Sequence, residues 1–445
     1  MIASLAAALL VASPVALSKT PPRKPNVIII LADDLGYGDV GAFGGKLIKT
    51  PNIDRMAKDG VKLATFFSSA NICTPSRAGL LTGRYPIRTG LGYEVIQAKD
   101  TNGLPLSEIT IAEALKPDYA TALIGKWHLG HVPPYWPPNV QGFDLFFGLP
   151  YSHDMKPLAL YNKEPGGPLT SEDVDFSHLT QRFFDRGLRF IEDNKDRPFF
   201  LELALNAPHE PEVPNPDFKG KSKAANFGDV VEEVDARVGI LLAKLKSLGL
   251  EKNTLVILTS DNGPWFEGSS GGFRDRKGGA GWEGGYRVPF IARQPGTIPA
   301  GIVSNAMAMN IDFLPTIMAW TGKPLPATTI DGKDLSPVLK TRNAPSPHDE
   351  LILFNNERVA AVRTKDWKLV IRTYYRVYDI PLDKYGYSQL IDLKNDPTES
   401  YNVAALHPDV MKDMVARAKR AQAEFEPLGV RQAPDVLPGA KPSTP

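Results

Sequence analysis

The chain has 445 residues, of which 42% are hydrophobic, and 51 basic against 50 acidic side chains give it a formal net charge of +1. This length suits one large domain with a smaller one beside it. The balanced charge argues against nucleic acid or a strongly anionic membrane surface as the partner.

The first 24 residues are predicted to be a signal peptide and a linker. Residues 1–18 form an Ala-rich apolar run that is too short for a membrane span, and small residues near its end are typical of a secretory signal. The run lacks the positively charged residues that usually begin a signal peptide, which leaves a disordered tail as the alternative. Residues 19–25 predict an extended linker. We therefore expect a periplasmic or secreted protein without a membrane span, and its single cysteine forms no internal disulfide.

Four apolar runs predict the strands of the main domain. Residues 26–32, N-V-I-I-I-L-A, and residues 254–259, T-L-V-I-L-T, are the strongest, and such runs are typical of strands buried on both faces. Residues 120–124 and 199–205 are weaker runs. Between the predicted strands at 199–205 and 254–259, residues 229–248 repeat valine and leucine at helical spacing. Strands that alternate with helices predict an α/β fold with a largely parallel sheet.

The pattern changes near residue 345, where the loop R-N-A-P-S-P-H-D indicates a boundary. Four short runs follow, L-I-L-F, V-A-A-V-R, W-K-L-V-I and Q-L-I-D-L, and a helical pattern covers residues 408–425. We predict a main catalytic domain at residues 25–345. Residues 346–445 are predicted to form a small antiparallel sheet with one helix and a Pro-rich tail.

The two strongest predicted strands are each followed by acidic residues. Asp33 and Asp34 follow the first strand, and Asp261 and Asn262 follow the other. In open α/β sheets, ligands bind beyond the carboxyl ends of the strands. Carboxylates gathered there repel one another unless a cation lies among them, and hard oxygens suit Ca²⁺ or Mg²⁺ rather than Zn²⁺. Each motif alone equally suits a turn or a helix cap.

Cationic and histidine side chains follow the weaker predicted strands. Lys126 and His128 follow one strand, and His209 follows another. Lys277 lies in a glycine-rich loop. Lysines beside a cation can hold an anion with tetrahedral oxygens, and a histidine can protonate a leaving oxygen. Taken singly, each of these residues equally suits a surface position or a satisfied core position.

The single cysteine, Cys73, permits four interpretations: an inert buried thiol, a nucleophile, a metal ligand or a residue that is converted into another group. A zinc site requires further Cys or His residues at ligand spacing, and the sequence around it has none. A cysteine-protease arrangement would leave the predicted oxygen cluster without a role. A soft thiolate is a poor ligand among hard oxygens, where an oxygen in its place would suit a calcium site.

Residues 73–84, C-T-P-S-R-A-G-L-L-T-G-R, resemble the signature C-x-P-S-R-x-x-L-L-T-G-R of the type I sulfatases, the formylglycine-dependent enzymes of the alkaline-phosphatase-like superfamily. Residues 118–130 resemble their second signature, with Asp118 where glycine is usual. The S-D-N-G at 260–263 and the E-G-G-Y-R-V-P at 283–289 are also similar. The resemblance spans about residues 25–425 and is greatest to the arylsulfatase A and N-acetylgalactosamine-6-sulfatase group.

The resemblance implies an alkaline-phosphatase-like α/β fold and the hydrolysis of sulfate esters. It implies that a separate maturing enzyme oxidises Cys73 to formylglycine, whose hydrated aldehyde attacks sulfur and later expels the sulfate. It also implies that one Ca²⁺ is bound by five positions, which are Asp33, Asp34, Asp261, Asn262 and the modified Cys73.

The resemblance further implies a set of anion-binding residues. Arg77, about one helical turn beyond Cys73, would steady the modified residue and the cation. Lys126 and Lys277 would bind sulfate oxygens, and Ser152 would donate a hydrogen bond to the sulfate.

Two histidines are implied to move protons. His128 would take the proton that frees the aldehyde, and His209 would protonate the leaving alcohol or phenol. A phosphonate monoester or phosphodiester hydrolase is the second hypothesis, because relatives of the same superfamily share the C-x-P-x-R nucleophile. A non-catalytic binder of sulfated glycans is the third.

The loops at residues 131–178 and 264–276 are predicted to rim the site. Their candidate contact residues are Trp136, Tyr151, His153, Trp265, Phe273 and Arg274. These side chains suit a sugar or aryl ring with an extra anionic group, and they suit ordinary loop packing as well. The resemblance favours sulfated carbohydrate as the substrate, with small aryl sulfates as side substrates.

Overall fold

The computed structural model describes residues 23–375 and 378–431. The predicted signal peptide, the predicted linker up to residue 22 and the tail from residue 432 lie outside the described residues. Among the helices of the described ranges, none combines the length and the apolar character needed to cross a membrane.

The described ranges contain eighteen β-strands and nine α-helices. The strands in chain order are β1 (Asn26–Asp33), β2 (Val61–Leu63), β3 (Phe66–Phe67), β4 (Ala120–Lys126), β5 (Leu145–Leu149), β6 (Leu160–Lys163), β7 (Leu169–Glu172), β8 (Phe199–Pro208), β9 (Thr254–Ser260), β10 (Phe290–Arg293), β11 (Ile302–Ser304), β12 (Ala308–Met309), β13 (Leu351–Asn355), β14 (Arg358–Arg363), β15 (Trp367–Val370), β16 (Arg372–Tyr375), β17 (Tyr378–Pro381) and β18 (Gln389–Asp392). The helices are α1 (Pro51–Lys58), α2 (Cys73–Thr82), α3 (Ile111–Leu115), α4 (Leu179–Asp193), α5 (Ala225–Ser247), α6 (Glu283–Tyr286), α7 (Phe313–Thr321), α8 (Ser336–Lys340) and α9 (Pro408–Phe425).

Ten strands form one mixed sheet in the order β11-β2-β10-β9-β1-β8-β4-β5-β6-β7. The five neighbouring strands from β9 to β5 run parallel. β10 runs antiparallel to β9, and β6 and β7 add antiparallel strands at the far edge. The four strands predicted from apolar runs are β9, β1, β8 and β4, which lie side by side at the centre. The predicted α/β fold with a mostly parallel sheet is confirmed.

Helices cover both faces of this sheet. Ile28 and Ile30 of β1 lie in a core shared with α1, α4 and α5, whereas Ile29 and Leu31 lie in a core shared with α2, α3 and α7. Side chains alternate between the faces of a strand, so a strand covered on both sides has a nearly continuous run of apolar residues. The helix predicted at residues 229–248 is confirmed as α5.

The C-terminal region forms an antiparallel sheet in the order β13-β14-β15-β18, with α9 packed against it. The four short strands and the final helix expected from the sequence are confirmed. This sheet shares a buried cluster with Phe67, Tyr286 and Ile311 of the larger sheet's surroundings. The division of the chain near residue 345 stays a prediction.

The central strands point their carboxyl ends to one edge of the large sheet. β9 ends at Ser260, β1 at Asp33, β8 at Pro208 and β4 at Lys126. Because these four strands are adjacent and parallel, the residues just beyond them meet at this edge. The fold thereby places the acidic, cationic and histidine motifs next to one another.

Candidate active site

α2 brings Cys73 to this edge of the sheet. The helix begins at Cys73, and all of its residues are buried. Two hydroxyls tie its first turn to the neighbouring strand ends. Thr74 Oγ1 donates to the carbonyl of His128 at 2.9 Å, and Ser76 Oγ donates to the carbonyl of Asp261. Residue 73 is therefore held directly beside the carboxyl ends of β4 and β9.

Arg77 joins two carboxylates in the interior of the site. Its Nη2 lies 2.9 Å from Asp261 Oδ2 and 3.3 Å from Asp33 Oδ1. Its Nη1 donates to the carbonyl of Lys126 at 2.9 Å. Burial opposes the charged form, but Asp261 and Asp33 raise the pKa of Arg77 above its usual value. Arg77 is therefore a permanent cation that fixes the spacing of the two carboxylates.

Lys126 is fully buried and links Asp33 to Ser152. Its Nζ donates to Asp33 Oδ2 at 2.7 Å, to Asp33 Oδ1 at 3.0 Å and to Ser152 Oγ at 3.1 Å. Gly125 before it has a φ of 118°, and a Cβ there would lie 1.7 Å from the carbonyl oxygen of Ala204, so glycine is required. Burial raises the pKa of Asp33, but Lys126 and other nearby cations outweigh burial and hold the pKa well below its usual range.

Asp34 and Asn262 form the other half of the acidic cluster. The Asp34 N–H donates to Asp261 Oδ1 at 3.2 Å, and Asn262 Nδ2 donates to Asp34 Oδ1 at 2.7 Å. Lys277 Nζ donates to Asp34 Oδ2 at 2.8 Å. The loop that carries Lys277 is anchored by its backbone, because the Lys277 N–H donates to the carbonyl of Pro264 at 2.9 Å.

Backbone carbonyls define the tautomers of the two histidines. His128 Nε2 lies 3.0 Å from the carbonyl oxygen of Ile96, and His209 Nδ1 lies 2.6 Å from that of Glu210. A carbonyl oxygen only accepts, so these nitrogens carry the proton in the neutral rings. His128 Nδ1 and His209 Nε2 remain as acceptors, and His209 Nε2 lies 3.2 Å from Ser152 Oγ. Burial and two neighbouring cations hold the pKa of His128 well below its usual range, so this ring is neutral.

The thiol of Cys73 is buried and protonated. Its Sγ donates to Asp33 Oδ1 at 3.6 Å, and burial raises the pKa of Cys73 to about 12. The thiolate, not the thiol, is the reactive form of cysteine. The geometry therefore disfavours Cys73 as an unmodified nucleophile or as a thiolate ligand.

The oxygens at this edge fit a hard cation. One ligand atom each from Asp33, Cys73 and Asp261 lies within 4.8 Å of the other two. Asn262 Oδ1 is buried and has no hydrogen-bond partner among the described residues. Buried polar atoms are almost always paired, so an unpaired acceptor among carboxylates is suited to a metal ion.

A cleft of about 250 Å³ opens over these residues. Its lining includes five of the predicted site residues, which are Cys73, His128, Ser152, His209 and Lys277. Seven further lining residues were not named as contacts from the sequence, and they are Ile72, Glu94, Val95, Gln97, Asp154, Met155 and Glu210. Asp154 and Met155 lie in the loop at residues 131–178 that was expected at the rim, but no local motif singled out either side chain.

Trp265 is the predicted rim residue that lines the cleft. The other five pack against other rings, with Trp136 on Tyr161, Tyr151 on His131, His153 on His209, Phe273 on Tyr37 and Arg274 over Trp282. Both predicted loops contribute residues to the cleft, with Trp265 as the confirmed contact, and the other five contact residues stay a prediction. Ordinary loop packing, the alternative interpretation, accounts for the others.

The site belongs to a class of hydrolases that act on anionic esters. Lys126 and Lys277, together with a cation held by the carboxylates at the sheet edge, can neutralise an anionic ester group. Two histidines with defined proton positions can move protons on either side of the scissile bond. The side chains that do this come from four adjacent strand ends, one helix start and one glycine-rich loop.

Comparisons with known proteins identify the family. The Sulfatase model matches residues 25–323, and the model for the C-terminal region of N-sulphoglucosamine sulphohydrolase matches residues 280–424. The chain is 38% identical to arylsulfatase A of Homo sapiens, across 88% of this chain and 86% of that protein. It is also 38% identical to N-acetylgalactosamine-6-sulfatase of Rattus norvegicus, across 72% of this chain and 66% of that protein. The crystal structure of PsFucS1 sulfatase from Pseudoalteromonas sp. has a TM-score of 0.81 at 32% identity, across 90% of each chain.

The chain therefore belongs to the sulfatase family. It is a sulfuric ester hydrolase, which releases sulfate from sulfate esters.

Proposed function

We propose that this sulfatase acts on sulfated carbohydrate through a formylglycine made from Cys73. The observation that carries the proposal is the position of Cys73 at the start of α2, 3.6 Å from Asp33 and in a cleft that Lys277 and both histidines also line. A relative in the family is named for a sulfated amino sugar. Trp265 at the cleft offers a ring on which the apolar face of a sugar can pack.

Cys73 would require modification before it could act. Its oxidation to formylglycine would supply, as the hydrated aldehyde, an oxygen nucleophile and an internal means of releasing sulfate. Because Cys73 is 1% exposed, a separate maturing enzyme would reach it before the chain folds. We also propose a periplasmic or secreted location, on the basis of the predicted signal peptide.

The acidic cluster would hold one Ca²⁺, with ligands from Asp33, Asp34, Asp261, Asn262 and the oxidised residue 73. The buried carboxylates and the unpaired Asn262 Oδ1 support this assignment. When bound, the ion would neutralise charge on the sulfuryl oxygens. Arg77 would keep Asp33 and Asp261 in position for it through its ion pairs.

Two lysines and a serine would bind the sulfate group. Lys126 and Lys277 pair with Asp33 and Asp34 in the structure, and their ammonium groups would turn toward sulfate oxygens when substrate binds. Ser152 Oγ lies 3.1 Å from Lys126 Nζ and would donate to the same group.

The two histidines would move protons at opposite ends of the reaction. His128 Nδ1 is buried, unpaired among the described residues and unprotonated, so it can accept a proton from a hydroxyl on residue 73. His209 Nε2 lies 3.8 Å from Asp34 Oδ2, which would stabilise the charged ring. A protonated His209 would donate from Nε2 to the leaving oxygen.

The test compares two esters with one enzyme preparation. The full chain, produced together with a formylglycine-generating enzyme, should hydrolyse an aryl sulfate with a kcat/KM about tenfold or more above that for the matching aryl phosphodiester. Preference for the diester would favour the phosphodiesterase hypothesis. Binding of a sulfated glycan without sulfate release would favour a non-catalytic role. The Cys73→Ala variant should fold and lose nearly all activity, which controls for contaminating hydrolases.

A further inference from the structure

The charged groups that line the cleft are unequally distributed. Glu94, Asp154 and Glu210 line it with exposed side chains. Among the described residues, Lys277 is the only lysine or arginine of the lining, and it is paired with Asp34 at 2.8 Å. Apart from Lys277, which would bind the sulfate group, the charged residues of this lining are carboxylates. The lining therefore offers no second lysine or arginine that could bind a further anionic group of the substrate.

Glu94 is held in place by the C-terminal sheet. Asn356, in the turn between β13 and β14, accepts from the Glu94 N–H at 3.1 Å and donates from Nδ2 to Glu94 Oε1 at 3.2 Å. Both residues have left-handed backbones, with φ values of 44° for Glu94 and 52° for Asn356. Such conformations are unfavourable for residues other than glycine and persist where the surroundings impose them. Glu94 Oε2 remains available to accept a hydrogen bond from a ligand.

Two further observations indicate that the cleft lined by these carboxylates receives a ligand. His128 lines the cleft, is 1% exposed and has no partner for Nδ1 among the described residues. The Trp265 ring lies in the same lining, with Lys277 Nζ 5.9 Å from its centre. A ring for an apolar face and carboxylates that accept hydrogen bonds from hydroxyls are the groups that suit an uncharged sugar.

We propose that Glu94, Asp154 and Glu210 select sulfate esters whose remaining part is uncharged, and that the preferred substrate is a monosulfated neutral sugar. This rests on the proposed function. The carboxylates would accept hydrogen bonds from sugar hydroxyls and would repel a uronate or a second sulfate near the scissile ester. The sequence alone allowed the opposite, an extra anionic group on the substrate, as one interpretation beside ordinary loop packing, because Arg274 was a candidate rim residue. Its guanidinium instead lies 3.5 Å from the centre of the Trp282 ring.

The experiment measures kcat/KM on matched pairs of substrates with the matured full chain. Each pair consists of a monosulfated hexoside and the same ester with an added carboxylate or sulfate. We expect the neutral member to be turned over about tenfold or more better, and we expect this ratio to shrink as ionic strength rises. The triple variant Glu94→Gln, Asp154→Asn, Glu210→Gln should reduce the ratio at least about threefold through the KM of the anionic member.

Two controls keep the result interpretable. Asp193→Asn changes an exposed carboxylate at the end of α4, which precedes β8 at the opposite edge of the sheet, and it should leave the ratio unchanged. Should the triple variant fail to fold, Asp154→Asn and Glu210→Gln as single variants supply the same comparison at exposed positions.

The outcomes separate this inference from the proposed function. Equal turnover of the neutral and anionic members, or a ratio that the carboxylate variants leave unchanged, would overturn the inference while sulfate release continued. Absence of sulfate release from every ester would overturn the proposed function, and the inference would fall with it.

Discussion

Lys368 in β15 is fully buried between two glutamates, and its replacement by methionine should destabilise the fold. Its Nζ forms an ion pair with Glu399 and lies 3.6 Å from Glu283 Oε1. Glu283 keeps two other cations, because Arg363 Nε and Arg287 Nη1 lie 3.1 Å and 2.9 Å from its oxygens. The Glu399 carboxylate has Lys368 alone as its ion-pair partner among the described residues, and its other hydrogen bond comes from the Glu283 N–H, 2.7 Å from Oε2.

The Lys368→Met variant would therefore leave the buried Glu399 carboxylate without a cation. Removing one partner of a buried ion pair costs about 3 to 5 kcal/mol. Burial raises the pKa of Glu399 even with Lys368 present, so the variant should bind a proton there in the folded state. An unfolded glutamate has a pKa of about 4.3, so above this pH the unfolded chain releases the proton that the folded variant retains. The folded variant is therefore destabilised relative to the unfolded chain as pH rises. The deficit of the variant should be smaller near pH 5 than near pH 8.

Urea unfolding followed by tryptophan fluorescence at both pH values measures this deficit. The double variant Lys368→Met, Glu399→Gln is the matched control, because glutamine keeps the acceptor for the Glu283 N–H and removes the charge. It should recover about half of the lost stability or more. A loss under about 1 kcal/mol in the single variant, or a double variant no more stable than the single one, would refute the reasoning.

Three further predictions concern the buried Glu202, the bound metal ion and His209. Burial raises the pKa of Glu202, in β8, to about 7, and its Oε2 is unpaired among the described residues. Glu202→Gln should therefore gain about 3 kcal/mol over the parent near pH 8 and about 1 kcal/mol near pH 5 in urea unfolding, because the pKa of an unfolded glutamate is about 4.3. An equal gain at both pH values would contradict this. Removal of divalent ions by a chelator should lower both the activity and the melting temperature, and added Ca²⁺ should restore both. The Asn262→Ala variant should respond less to both treatments. Full activity in protein shown to be metal-free would exclude the calcium assignment. His209→Ala should slow the hydrolysis of alkyl sulfates by about 10²-fold or more. It should slow the hydrolysis of nitrophenyl sulfate far less, because a good leaving group needs no proton. Equal losses of rate on the two kinds of ester would exclude His209 as the general acid.

The central fold could be predicted because its signals are local. β1 and β9 are buried along their whole length, so their central residues are continuously apolar, and the sequence shows this directly. β7 lies at the sheet edge with all four residues exposed, and no apolar pattern marks such a strand. The antiparallel direction of β10 depends on its pairing with β9 and β2, which are distant along the chain.

The candidate site divides in the same way. Asp33, Asp261 and Lys126 lie at the ends of predictable strands, so their proximity follows from the parallel sheet. Glu94 resembles any exposed acid in a loop, and only the folded chain shows that it lines the cleft. Asp154 lies in a loop that was expected at the rim, but nothing in the sequence marks its side chain as a contact. Arg274 contacts the Trp282 ring and the Glu399 carbonyl, and these two contacts also depend on tertiary packing.

The chemical state of residue 73 in active enzyme tests the central claim most directly. Mass spectrometry of the peptide that contains Cys73, taken from a preparation with measured sulfate release, should show the mass loss of a thiol converted to an aldehyde. The modified fraction should rise in proportion to specific activity across preparations made with different amounts of the maturing enzyme. Full activity in protein that carries only unmodified cysteine at this position would contradict the account.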